Sequence, residues 1–199
     1  MAVLKTSVHG QIWWGLVRRQ LRLLFGLALL ASTAQAEAAE SAPSPEYQLK
    51  AVFLFNFAQF VEWPARAFPK LDTPLVIGVL GDDPFGDYLD ELVRGEKIGS
   101  RLLVARRFKR GDEIGECHIL YVSASEGGVL GATMEVMKGR SVLTVSDLDG
   151  FTKQGGLVRF VTESGKIRLR INVEAAGACG LKISSKILRP ATVVTAGKD

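Results

Sequence analysis

"PLVIGVLGDDPFGDYLDELV", residues 74–93, decides the class of fold. The apolar run over 74–81 is unbroken and closes on Gly81, as a strand buried on both faces does. Asp83-Pro84 then opens a helix to about Val93, with Asp83 as N-cap and Pro84 in the first helical position. A buried strand feeding a helix through a glycine turn is the repeating unit of α/β sheets. The pattern continues downstream. "RLLVARRF" (101–108) and "HILYVSA" (118–124) read as strands, "GGVLGATMEVMKG" (127–139) as a helix stopping at Gly139, and "RSVLTVSD" (140–147) as a third apolar strand. "GGLVRFVTESGKIRLRINV" (155–173) reads as a hairpin turning at Glu163-Ser164-Gly165. In its second arm Ile167, Leu169, Ile171 and Val173 alternate with Arg168, Arg170 and Asn172, one face buried and the other wet. A short helix near 173–179 and a tail over 181–191 complete the pattern. The expected fold is α/β: a single domain with a mixed β-sheet flanked by helices on both faces and a C-terminal antiparallel hairpin at one edge.

Working outward, residues 1–36 form a signal peptide. Lys5, Arg18, Arg19 and Arg22 are a basic n-region, and "LLFGLALLA" (23–31) is an apolar h-region too short to span a bilayer. Ala34-Gln35-Ala36 is the cleavage site. Residues 37–44 are small and polar, a flexible N-terminus. The α/β domain then runs over 45–191, with a C-terminal tail at 192–199. The leader holds four of the 25 basic residues and none of the 21 acidic ones, so the exported chain carries 21 of each. This balance gives no support for nucleic-acid binding, which requires a clustered basic field, and no nucleic-acid partner is expected. Export across the inner membrane places the product in the periplasm. Cys117 and Cys179 are the two cysteines. An oxidising compartment favours a bridge between them; two separate buried thiols are the alternative.

"KAVFLFNFAQFVEWP" (50–64) carries five aromatic residues. Ser44-Pro45 starts a helix through it, which ends at Trp63-Pro64. Leu49, Phe53, Phe57 and Phe60 make one stripe, yet Val52, Leu54, Phe55 and Val61 spread apolar surface nearly all the way round. Such a helix is either enclosed or laid against another molecule. The second case makes Phe57, Phe60 and Trp63 partner-binding residues.

Little in the chain points to catalysis. The turn at 78–86 is a candidate pocket because open α/β sheets bind ligands at such places, but Asp82 and Asp83 disfavour a phosphate there. Asp82, with the basic residues Lys182, Lys186 and Arg189, forms the candidate ligand-binding set. Cys117 and His118 are neighbours on a strand and point to opposite faces, and His118 reads as structural. No cofactor and no metal site is expected.

"KAVFLFNFAQFVEWP" also resembles the opening motif of the YfiR-like family of exported bacterial proteins. "IGVLGDDPFG" (77–86), "CHILYV" (117–122), the "VRF" and "KIRLRIN" arms (158–160 and 166–172) and "GACGLKISSKILR" (177–189) are similar as well. The resemblance covers about residues 46–191. It implies a non-enzymatic periplasmic protein that represses a membrane-bound diguanylate cyclase by binding its periplasmic sensor region, lowering cyclic di-GMP and biofilm formation. It also implies an α/β domain that forms a homodimer, and cysteine bridges linked to repressor activity. This chain has too few cysteines for two bridges. A periplasmic small-ligand-binding sensor is the alternative, and an exported enzyme ranks below both.

Overall fold

The computed structural model describes residues 42–195 and Gly197; the expected signal peptide (1–36) and residues 37–41 lie outside the described residues. Ser44 caps the first described helix, α1 (Pro45–Phe60), its Oγ accepting from the Tyr47 amide at 3.5 Å, with Pro45 at the start. The helix stops at Phe60, earlier than the Trp63-Pro64 pair suggests. Val61 is extended (φ −111°, ψ 137°) because Val61–Glu62 (β1) pairs antiparallel with Lys182–Ile183 (β9). The Ser184 amide closes this junction on the Phe60 carbonyl at 2.9 Å.

The main sheet contains β2 (Leu75–Leu80), β3 (Lys97–Ile98), β4 (Arg101–Phe108), β5 (Ile119–Val122), β6 (Leu143–Ser146), β7 (Val158–Glu163), β8 (Lys166–Asn172) and β10 (Thr192–Val194). Its spatial order is β10-β8-β7-β6-β5-β2-β4-β3. The run from β4 to β7 is parallel, β7–β8 and β3–β4 are antiparallel, and β8–β10 is parallel. All six residues of β2 are buried, as the unbroken apolar run requires. The hairpin turns on Ser164 (φ 51°) and Gly165 (φ 72°), two left-handed residues in a two-residue loop whose twist matches the flanking strands. The hairpin does not form the edge. Residues 192–194, expected in the tail, continue the sheet beside β8.

Helices cover both faces. On one, α1, α2 (Asp87–Val93), α4 (Val173–Ala178) and α5 (Ser185–Leu188) bury Leu54, Phe57, Leu89, Ala176 and Ile187 against inward residues such as Ile77, Ile119 and Val145. On the other, α3 (Leu130–Met137) packs Leu130, Met134 and Met137 on Leu80, Leu120 and Val122, with Phe151 alongside. The pleat explains the split, since Ile119 and Tyr121 face one layer while Leu120 and Val122 face the other.

Helix α2 begins at Asp87 rather than after Asp83. The Asp83 Oδ1 accepts from the Phe85 amide at 2.8 Å, and Gly86 (φ 50°) occupies the cap position. Asp83 is thus spent on a local turn and on Arg107, whose Nε lies 2.8 Å from Oδ2.

Candidate functional site

The buried face of α1 is Ala51, Leu54, Phe57 and Ala58, and Val61 continues it into β1. It is rotated from the predicted stripe: Leu49 is 47% exposed, while Phe53 and Phe60 are half-buried. Phe57 is 1% exposed and stacks on Phe160 of β7, centroids 6.2 Å apart at 18°. The expectation that Phe57 meets a partner is therefore wrong, because its ring is enclosed between the helix and the sheet. Phe60 and Trp63 keep partial exposure. Lys186 places its Nζ 4.9 Å from the Phe60 ring centroid, and the Trp63 indole donates to the His118 carbonyl at 3.2 Å. Leu49, Val52, Phe53, Phe55, Phe60 and Trp63 together leave an apolar rim on α1 and its exit after the domain has folded.

An ion cluster fixes the amino-terminal half of the helix. Lys50 is 2% exposed, and its Nζ lies 2.7 Å from both Glu46 Oε1 and Asp147 Oδ2. The Tyr47 hydroxyl donates to the same Asp147 oxygen at 3.0 Å, and the Lys50 ammonium sits 4.4 Å from the Tyr47 ring centroid. Thr162 of β7 donates to Glu46 at 3.1 Å. The cluster therefore ties α1 to the residue after β6 and to β7. Burial opposes the Lys50 charge, but the hydrogen bonds that the ammonium donates to Asp147 and Glu46 outweigh it and hold the ammonium above the ordinary lysine range. Burial likewise opposes the Asp147 charge, and Lys50 and Tyr47 overcome it, holding the carboxyl below its usual range. In the sequence Lys50 reads as a charge at the end of an apolar segment. The available signal was its register: 50, 54, 57/58 and 61 share the face that proves buried, and Glu46 stands one turn before.

The four residues of the ligand set lie on different parts of the fold. Asp82 is exposed beyond β2, whereas Lys182, Lys186 and Arg189 are exposed on β9, on α5 and just past it. The pocket expected at the Gly81 turn is filled. A Cβ on Gly81 would stand 2.4 Å from Ser125 Oγ, which also accepts from the Asp82 amide at 3.0 Å. Glu126 lies behind it, paired with Arg110 at 3.0 Å.

His118 plays the structural part expected of it. Its Nδ1 accepts from the Val76 amide at 3.1 Å, its Nε2 lies 3.0 Å from the Ala67 carbonyl, and its ring stacks on Phe68 at 4.4 Å. Burial holds the imidazole below its ordinary pKa.

Both cysteines are free thiols, so the expected Cys117–Cys179 bridge is not formed. Cys117 belongs to the α3 layer, where Sγ donates to the Ile119 carbonyl at 3.1 Å; Cys179 packs against the α1 layer. Burial pushes the Cys117 thiol up to about 12, which removes its thiolate at neutral pH.

Sequence reasoning did not find the clefts, which depend on how loops meet across the sheet. One of about 520 Å³ lies between α3, the 154–155 turn and α4, with Met134, Met137, Val142 and Leu157 in its lining. Another of about 620 Å³ flanks the opposite side of α3. A smaller one of about 350 Å³ opens beside Arg66 and Arg140. None of Asp82, Lys182, Lys186 and Arg189 lines any of the three.

A family model described as YfiR/HmsC-like matches residues 47–192, nearly the whole folded domain. No curated protein matches the chain.

Proposed function

The chain belongs to the YfiR/HmsC-like family, and from that premise we propose that it is a periplasmic regulatory protein that represses a membrane-bound diguanylate cyclase by binding its periplasmic sensor region, lowering cyclic di-GMP and biofilm formation. The observation that carries this reading is the apolar rim on α1: Leu49 is 47% exposed, and Phe53, Phe55, Phe60 and Trp63 pack only partly against the core. Aromatic anchors with a polar surround are what protein interfaces use for most of their binding energy. The ion cluster supports the same reading, because it holds the helix in place without a partner and so presents the rim preformed.

The mechanism is a population shift. A repressor that prefers the inactive conformation of the sensor region moves the cyclase toward it without touching its active site. Passing from mostly active to mostly inactive takes about 5.5 kcal/mol of preference, within reach of a few buried aromatic side chains. Deleting the gene is expected to raise cellular cyclic di-GMP and surface attachment, and a plasmid copy restores both. An unchanged cyclic di-GMP pool in the deletion strain removes the proposal.

A second reading, a small-ligand sensor, has one observation in its favour: the cleft of about 520 Å³ with a mainly apolar lining. A thermal shift from a metabolite panel that disappears on filling the cleft with Ala178→Trp supports it.

A further inference from the structure

We infer that the cleft between Arg66 and Arg140 is a binding site for a phosphoryl oxyanion. Arg66 lies in the short helical turn Ala65–Ala67, and Arg140 lies between α3 and β6; both line the cleft of about 350 Å³. Each guanidinium is held by a backbone carbonyl. One Nη2 of Arg66 donates to Cys179 O at 3.1 Å, and one Nη2 of Arg140 donates to Gly115 O at 2.7 Å. These tethers leave the other N–H groups of both forks uncommitted, and among the described residues neither arginine is paired with a carboxylate.

Three arginines of the domain contrast with these two. Arg107 is consumed by Asp83 and Asp90, Arg110 by Glu126, and Arg101 by three carbonyls and the Phe68 ring. The Arg66 guanidinium lies against the chain at Gly180, its Nη2 2.6 Å from where a Cβ on that residue would stand. Glu116, exposed to solvent, is the single acid in the lining.

The chemistry selects the ligand class. One fork saturates the two oxygens of a carboxylate, whereas two forks beside one cleft match the three or four oxygens of a phosphate or phosphomonoester.

The test titrates the purified protein with inorganic phosphate, methyl phosphate and acetate at constant ionic strength, following the arginine Nε–Hε resonances. Saturable shifts at Arg66 and Arg140 with either phosphate species support the site. Arg140→Gln is then expected to weaken binding about 10–100-fold, while Arg94→Gln on the exposed end of α2 leaves it unchanged. A non-saturating response, an affinity for acetate equal to that for phosphate, or full affinity in Arg140→Gln overturns the inference. The wild-type resonances report even if Arg140→Gln fails to fold.

Discussion

Asp147→Ala is expected to lower the unfolding free energy by about 3–5 kcal/mol, the cost of leaving a buried charge without its partner. Lys50 is 2% exposed and its ammonium lies 2.7 Å from Asp147. Removing the carboxylate leaves it only Glu46, whose side chain is 43% exposed and better served by water. The Tyr47 hydroxyl loses its acceptor in the same change. The destabilisation is a property of breaking the pair rather than of the pair itself. Lys50→Met with Asp147→Leu is therefore expected to recover most of the loss. Urea denaturation of the wild type, the single variant and the double variant measures both effects.

The same cluster sets a pH dependence whose sign follows from the two shifts. The folded Asp147 carboxyl titrates below its unfolded value, so its contribution is present above about pH 4 and is lost as pH falls through the depressed pKa. The folded Lys50 ammonium titrates above its unfolded value, so its contribution is complete below about pH 10 and is lost as pH rises through the raised pKa. Asp147→Ala should flatten the acid limb of stability against pH. An acid limb as steep as the wild type's would assign that limb to other carboxylates.

Phe57→Ala is expected to cost about 3–5 kcal/mol as well, by a different route. The ring is enclosed, stacks on Phe160 and lies 6.4 Å from the Phe53 ring, so truncation opens a cavity between α1 and the sheet that neither element can close. The denaturation midpoint should fall with little change in slope, since the surface exposed on unfolding is nearly the same. A loss below about 1 kcal/mol would mean that the helix settles into the gap. Phe57 thus separates folding from recognition: it is an aromatic residue of the same segment whose loss acts through stability alone.

The legible parts of the fold were those carried by periodicity. The unbroken run at 75–80 reads as a fully buried strand, and the alternation in β8 places Leu169 and Ile171 inward and Arg168 outward, but Asn172, expected on the wet face, is buried because its side chain turns to cap α4 through the Ala175 amide. What escaped was set by contacts between distant segments. The end of α1 at Phe60 is decided by pairing with residues 182–183, which no local signal at 61–62 announces. The C-terminal strand at 192–194 is short and lies where the pattern reads as a tail, and only its place beside β8 makes it part of the sheet. The rotation of α1 has the same origin. With apolar residues around most of its circumference, the helix has no preferred face of its own, and the Lys50–Asp147 contact chooses one. That choice encloses Phe57, leaves Phe60 on the rim, and corrects the expectation that the two act together. Asp83 shows the opposite failure. Its local motif reads as a helix cap, but contacts with Phe85 and Arg107 move the helix start to Asp87.

The most direct test is the dissociation constant between this protein and the isolated periplasmic region of its proposed partner, a membrane-bound diguanylate cyclase, compared for the wild type and Leu49→Ala/Phe60→Ala. Loss of two rim anchors is expected to weaken binding by about 30-fold or more, with a melting temperature that stays near the wild type's. An equal affinity in a folded double variant would contradict the account and place recognition elsewhere on the domain.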